Sequence, residues 1–411
     1  MTLCEGTSGR WSVRGRTGLR VVAMAAAALL FTACGSTGEP AGSNGSGSTS
    51  GPIKVGVLQS ITGTLAPYGI AEQRATEIAI DQINKQGGIN GRQLEMVFYD
   101  PAGDTAKAVQ LTRRLIDQDK VDVVVGGGTS SGIALAMKPL LQQAGIFFMS
   151  TEAAENIVAP AAESPLTFAT TLSTSIVTAA MFNHLKQKGI TKAGILGDST
   201  AYGQAGVTSA EAAAKAAGIE LVKATYDPAA TDLTPDINKL TAAGAKAWIN
   251  WTSGPSAVLF MKNVASLGLA AQGPIMCSFT YSNPALMKQA GEASKGVTVA
   301  GVKATVLDSL PASDPQKAPL DKMAADLKSK YNEEATIYAS QTYDALNVTA
   351  EAIKKAGSTK GTDVAKAMEG LSFVGTQGTY NYSATDHRGL DPSVPILMMW
   401  DGTTFKLETT S

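Results

Sequence analysis

IKVGVLQSITGTLAPYGIAEQRATEIAIDQINKQGGINGRQLEMVFYD, residues Ile53–Asp100, contains one strand, one helix and a second strand, and the same alternation runs through most of the chain. Ile53–Leu58 (IKVGVL) reads as a short apolar strand. From Ala71 to Gln86 the period changes. Ala71, Ala75, Ile78, Ala79 and Ile83 fall on one helical face, and Gly87-Gly88 ends the run. Gln93–Tyr99 is the second strand. Asp104–Gln118 follows as a helix with Ala108, Leu111 and Leu115 inward, and Val121–Val125 (VDVVV) is a near-continuous apolar run, which suits a sheet covered on both faces. Helix Ile133–Gln143 and strand Ile146–Met149 complete the first array.

A second array then begins. Helices at Ser175–Lys188, Gly203–Ala217, Leu233–Ala243 and Ser256–Leu267 alternate with strands at Ala193–Leu196, Leu221–Tyr226, Ala247–Trp251 and Pro274–Cys277. After strand Val297–Val302 come helices near Leu320–Tyr331, Tyr338–Ala356 and Asp363–Met368, then a β-rich tail that includes Ile396–Trp400. Strands alternating with helices over this length predict an α/β protein: two doubly wound, Rossmann-like lobes with parallel sheets. In such sheets ligands sit outside the carboxyl ends of the strands. Those loops are Ser60–Tyr68, Gly126–Ser131, Ser150–Ala154, Asp198–Tyr202, Trp251–Gly254 and Ser278–Tyr281. They gather small, hydroxyl and aromatic residues, as a small-molecule cavity requires.

Upstream of Ile53 the composition changes. Arg10, Arg14, Arg16 and Arg20 precede the apolar run Val21–Ala33, which is too short to span a bilayer and closes on Thr32 and Ala33 before Cys34. This is the pattern of a secretory leader. The cysteine after small residues resembles a bacterial lipobox, with Phe31 where Leu is usual. Residues 1–33 are therefore expected to be a lipoprotein signal peptide, with lipid on Cys34 as the anchor to the cell membrane and an extracytoplasmic location. Residues 34–51 are almost pure Gly, Ser and Thr and are expected to act as a tether.

The chain has 411 residues, a formal net charge of -1, 3 Cys and 2 His. No basic stripe points to nucleic acid. Cys277 is the one cysteine beyond the leader and the lipid site, so no internal disulfide is expected. His184 and His387 are far apart, and no Cys/His cluster has metal-ligand spacing. GGGTSS lacks the glycine pattern of a dinucleotide loop and the lysine of a P-loop, so no cofactor is expected.

Ile53–Asp100 resembles the opening of type I solute-binding proteins of branched-chain amino acid ABC importers, through QSITG, PYG, INKQGGINGR and YD. Further matches are VVVGGGTSS (Val123–Ser131), DSTAYGQAG (Asp198–Gly206), QTYDAL (Gln341–Leu346) and TDHRGL (Thr385–Leu390). The resemblance runs from about Pro52 to the end of the chain. It implies a monomeric, non-enzymatic receptor of two lobes joined by three crossings, closing over one small solute and serving separate permease and ATPase chains. Residues 52–170 and 303–375 would form the first lobe, and 171–302 and 376–411 the second.

The same resemblance names the cavity. Ser130, preceded by Thr129, matches the serine that binds a solute carboxylate at a helix N-terminus, although a serine there also suits a helix cap. Tyr68, Tyr202 and Tyr338 match aromatic positions of the cleft; Tyr68 and Tyr202 suit a hinge wall equally. Two departures stand out. Ala154 replaces a threonine that holds the amino acid group, and Glu152 stands where a small residue is usual. The acidic partner of the ligand ammonium aligns with Phe279. Either Glu152 supplies the missing charge, or the solute is an aromatic or aliphatic carboxylate stacked on Phe279, Trp251 and Tyr281. Trp251 as plain core is the alternative for that residue.

Two other classes are open at this level. A sensory receptor subunit for a membrane signalling partner would use the same lobes. Gly128–Gly132 (GTSSG) fits a hydrolase nucleophile elbow with Ser130 as nucleophile and His387 later in the chain, although no oxyanion segment precedes it.

Overall fold

The computed structural model describes residues 51–408; the leader, Cys34 and the tether lie outside them. Two sheets organise the chain. The first holds β1 (Ile53–Leu58), β2 (Leu94–Tyr99), β3 (Val123–Gly126), β4 (Phe147–Ser150) and β5 (Thr167–Ala169), in the order β2-β1-β3-β4-β5, and every pair is parallel. All four residues of β3 are buried, which is why that strand reads as an unbroken apolar run.

The second sheet contains β6 (Lys192–Asp198), β7 (Glu220–Tyr226), β8 (Trp248–Trp251), β9 (Ile275–Cys277) and β10 (Thr298–Gly301), all parallel in the order β10-β9-β8-β6-β7. Preceding β13 in the chain is a small hairpin, β11 (Ser372–Val374) with β12 (Thr379–Asn381). Then β13 (Ile396–Trp400) and β14 (Phe405–Leu407) extend the second sheet antiparallel at its β10 edge. The expected α/β architecture with two doubly wound sheets is what the structure has.

Helices α1 (Ala66–Lys85), α2 (Thr105–Arg114) and α3 (Ser131–Gln143) follow strands of the first sheet; α4 (Thr174–Gln187), α5 (Ala201–Ala217), α6 (Thr234–Ala242), α7 (Ser256–Ser266) and α8 (Pro284–Ala290) belong to the second array. Several start on side-chain caps. Asp104, Ser173 and Thr200 accept backbone N–H groups of Lys107, Ile176 and Gly203 at 2.9, 3.3 and 3.1 Å. Helix α1 begins five residues earlier than periodicity predicts, with Pro67 in its first turn, where a missing N–H costs nothing.

After β10 the chain returns to the first sheet. Helices α9 (Lys317–Tyr331) and α10 (Ile337–Ala356) pack on α1, and α11 (Gly361–Met368) packs on β4. The chain thus passes between the sheets between β5 and β6, after β10, and before β13. Residues 376–388, assigned by the expected boundary to the second lobe, make their bonds to the first sheet side. The hydroxyls of Tyr382 and Tyr380 reach the carbonyls of Ala169 and Thr170 at 3.1 and 2.9 Å, and the backbone N–H of Ala169 donates to His387. The cause is a single buried carboxylate on α10, Asp344, which collects Thr376 and Gln377 as they leave the hairpin.

Candidate functional site

All six loops expected at the carboxyl ends of the strands contribute to one cavity of about 450 Å³. The first sheet side supplies Tyr68, Thr129, Ser130, Thr151 and Glu152; the second supplies Thr200, Tyr202, Ser253, Phe279 and Thr280; Tyr338 and Gln341 reach it from α10. At the cavity the two sides meet where the backbone N–H of Gly254 donates to Tyr68 Oη at 3.1 Å.

Aromatic rings form two walls. Tyr68 and Tyr338 stack with centroids 4.6 Å apart, and Tyr202 meets Phe279 edge-on at 5.7 Å. Trp251 is not on the surface of the cavity. It is fully buried and backs Tyr202 and Phe279 at 5.7 and 6.4 Å, with its indole against Gly206 of α5, where a Cβ would fall 2.2 Å from the ring. Trp251, expected to stack on the solute, is core instead, and Tyr281 is likewise buried, donating to Asn250. Ala154 is also absent from the wall. Its N–H donates to Ser131 and its carbonyl accepts from Arg388, so it shapes the loop from behind.

Ser130 occupies the N-cap position of α3 in extended backbone, yet its hydroxyl makes no capping bond. Ser130 and Ser131 both line the cavity, so an uncapped hydroxyl and the start of α3 border it, an arrangement suited to an anionic oxygen. Thr129 lines the cavity too, but its hydroxyl is committed: it accepts from the N–H of Ser60 at 3.0 Å and donates to Glu72 at 2.7 Å.

Glu152 is the one carboxylate in the wall. Its side chain lies where Gly127 has no Cβ; a methyl there would meet Glu152 Cγ at 2.4 Å. Burial, then the neighbouring Glu72 charge, pushes its carboxyl well above the usual range, against the hydrogen bond from Thr151 and the attraction of Arg388. Behind it, Glu72 is completely buried, taking Thr129 and Thr151 hydroxyls and the Gln341 amide at 2.7, 3.4 and 3.0 Å. Burial lifts its carboxyl to about 7 in spite of these bonds.

Neither Glu72 nor Arg388 was singled out from the sequence. For Glu72 the signal was present, because a 3.6 period puts it on the same face as Ala75, Ala79 and Ile83. Arg388 is 5% exposed and donates to the carbonyls of Glu152, Thr171, Ala153 and Ala154 at 3.1, 3.0, 3.4 and 3.2 Å, fixing the Glu152 loop.

A pH dependence follows from Glu72. Its folded carboxyl holds a proton that the unfolded chain releases near pH 4.5, so its contribution to stability falls as pH rises to about 7. Burial pushes His387 down, which acts in the opposite sense over part of that range. Comparison with Glu72→Gln cancels the histidine and the raised Asp344, leaving Glu72 and the part of Glu152 that depends on it. Between pH 5 and pH 8 the parent should lose about 2 to 3 kcal/mol relative to the variant in denaturant unfolding. Parallel pH profiles for the two proteins would remove Glu72 as the source.

His387 does not approach the cavity wall. Its ring stacks on Phe168 at 3.9 Å, and Nδ1 sits 3.1 and 3.0 Å from the carbonyls of Ser164 and Thr167. It is a buried anchor, and Ser130 has no histidine to act as its base. Among the described residues, no group of three or more His, Cys, Asp or Glu side chains is placed to hold a metal ion, and no helix is long and apolar enough to cross a membrane.

The family profile described as "Periplasmic binding protein" matches residues 52–399, spanning both sheets and every cavity loop. The chain belongs to the periplasmic binding protein family. Members of this family are solute-binding proteins, not enzymes. A Pseudomonas aeruginosa relative, the leucine-, isoleucine-, valine-, threonine- and alanine-binding protein, is 28% identical over 339 residues, covering 80% of this chain and 85% of its own. Two solved structures share the fold. An extracellular ligand-binding receptor from Rhodopseudomonas palustris HaA2 superposes with TM-score 0.79 at 23% identity, covering 87% of this binding protein and 99% of its own chain. An R. palustris ABC-transporter solute-binding protein, determined with benzoate, superposes with TM-score 0.74 at 24% identity over 87% and 95% of the two chains.

Proposed function

We propose that this binding protein is the extracytoplasmic, lipid-anchored receptor of an ABC importer, closing its two halves over one small hydrophobic or carboxylate-bearing solute and handing it to separate permease and ATPase chains. The observation that carries the reading is the cavity itself: both sheets build it, and an uncapped Ser130 at the start of α3 faces two aromatic walls. A hydroxyl and helix N–H groups suit a carboxylate, and the rings suit an apolar body. The amino acid specificity named for the P. aeruginosa relative supports solutes of this size. The small-residue-plus-cysteine pattern at Cys34 supports the lipid anchor, and the Gly/Ser tether that follows gives the receptor reach from the membrane surface.

Thermal unfolding with a solute panel tests the reading. The panel contains L-leucine, L-phenylalanine, their deaminated acids and their decarboxylated amines. A solute at 100 times its dissociation constant stabilises the native state by about 2.7 kcal/mol, enough for a clear rise in midpoint. No shift from any member would sink the small hydrophobic solute reading. Tyr68→Phe provides a second check, because it removes the Gly254 N–H acceptor that joins the two sides. One neutral hydrogen bond is worth about 1 kcal/mol, so affinity should weaken by up to about fivefold. Calorimetric titration that finds equal affinities would show that this contact does not favour closure.

A further inference from the structure

The carboxylate pair is unusual for a cavity meant to hold an anionic group. No lysine, arginine or histidine lines the wall among the described residues, and the titratable side chains there are Glu152, Tyr68, Tyr202 and Tyr338. Glu72 on α1 faces Glu152 from behind, and the Thr151 hydroxyl lies 3.4 Å from a carboxylate oxygen of each. On the far side Arg388 is spent on backbone carbonyls, and Glu155 and Asp386 also face its guanidinium. A second observation points to a ligand. The Tyr338 side chain lines the same cavity at 6% exposure, and its hydroxyl has no hydrogen-bond partner among the described residues. A buried polar group of this kind is costly unless a bound molecule meets it.

We infer that Glu152 seats a cationic nitrogen of the solute, with Glu72 as the second carboxylate behind it, and that the pair gives up one proton to solvent as the nitrogen arrives. This deepens the receptor reading and rests on it. In the unliganded protein two carboxylates this close, with one bridging hydroxyl, do not both stay ionised, because burial and mutual repulsion favour keeping a proton between them. A cation reverses the balance at Glu152, the carboxyl it meets: that group ionises and its proton leaves, while burial keeps the proton on Glu72. Aromatic faces at Tyr68, Tyr202, Phe279 and Tyr338 add cation–π attraction around the same charge. The charge comes from the loop after β4, on the first-sheet side of the cavity, across from Phe279.

Isothermal titration in buffers of different ionisation enthalpy reads the proton count. With L-leucine, L-phenylalanine, isopentylamine and phenethylamine as probes, binding at pH 6 should release close to one proton. Affinity should rise toward tenfold per pH unit below the titration of the pair. 4-Methylpentanoate and 3-phenylpropanoate should bind at least 100-fold more weakly than the matching amino acids. Glu152→Gln should weaken the ammonium-bearing probes at least 100-fold and abolish proton release, while Glu152→Asp should keep proton release at reduced affinity. The thermal midpoints of the unliganded variants confirm folding. Tight binding of the deaminated acids, zero protons released, or unchanged affinity in Glu152→Gln would each overturn the inference while leaving the receptor reading intact. Silence of all probes would overturn both.

Discussion

Asp344→Ala is expected to lower folding stability by about 4 kcal/mol, more than any other single truncation of a polar side chain here. Asp344 is 1% exposed on α10, and it accepts the backbone N–H of Thr376 at 2.8 Å, that of Gln377 at 3.1 Å and the Thr376 hydroxyl at 2.9 Å, with Tyr380 Oη also 2.9 Å away. Truncation leaves two buried N–H groups without a partner, each costing about 1 to 3 kcal/mol, in addition to the hydroxyl bonds. The same residues hold the hairpin return against Thr170, so the loss spreads to the crossing between β5 and α4. Burial raises the Asp344 carboxyl to about 6, which makes an amide a fair mimic of its protonated form. Asp344→Asn should therefore fall between parent and Ala, and closest to the parent below pH 6. Urea unfolding at constant slope measures all three; a loss under about 1 kcal/mol for Ala would mean that water satisfies the freed N–H groups.

Arg388→Met should have the second largest effect, and on two properties at once. Its guanidinium holds four carbonyls, three of them successive in the Glu152–Ala154 loop. Met fills much of the volume without a donor, so about 3 kcal/mol of stability should be lost. The loop then no longer fixes Glu152, and affinity for the ammonium-bearing probes should fall at least tenfold. Arg388→Lys should rescue little, because one ammonium cannot span carbonyls that a planar fork reaches together. Titration at a temperature where every variant is folded separates the two effects. Lost stability with parental affinity would make Arg388 a structural anchor and nothing more.

The alternation of strands and helices was open to reading because most strands are short apolar runs between turn residues, as in Ile53–Leu58 and Val123–Gly126. The rule that ligands sit at the carboxyl ends of parallel strands then located six cavity loops, though not those that bring Ala102 and Gly103, Thr171, or Pro228 and Ala229 to the wall. Side-chain direction at those loops was not open in the same way. Trp251 and Phe279 both follow the strand pattern, and only the bare backbone at Gly206, 45 residues away in the chain from Trp251, decides that the indole turns inward. The partners of Arg388 in the Glu152 loop lie 234 to 236 residues upstream, a pairing that no local pattern carries. Helix α1 begins before its apolar period does: Ala66 and Pro67 carry no periodic signal, although Tyr68 already falls on the buried face. β5, with three residues, is shorter than the patterns that strands need to be seen.

Trp251 is enclosed by the back of two cavity rings and is shielded from solvent. That makes it an optical gauge already wired to the site. Any solute that tilts Tyr202 or Phe279 changes the electric field and quenching contacts at the indole, so ultraviolet emission should track occupancy without an added dye. Trp251→Phe would silence the signal while leaving the wall it supports in place, which sets this receptor up as a label-free fluorescent reporter for its own solute.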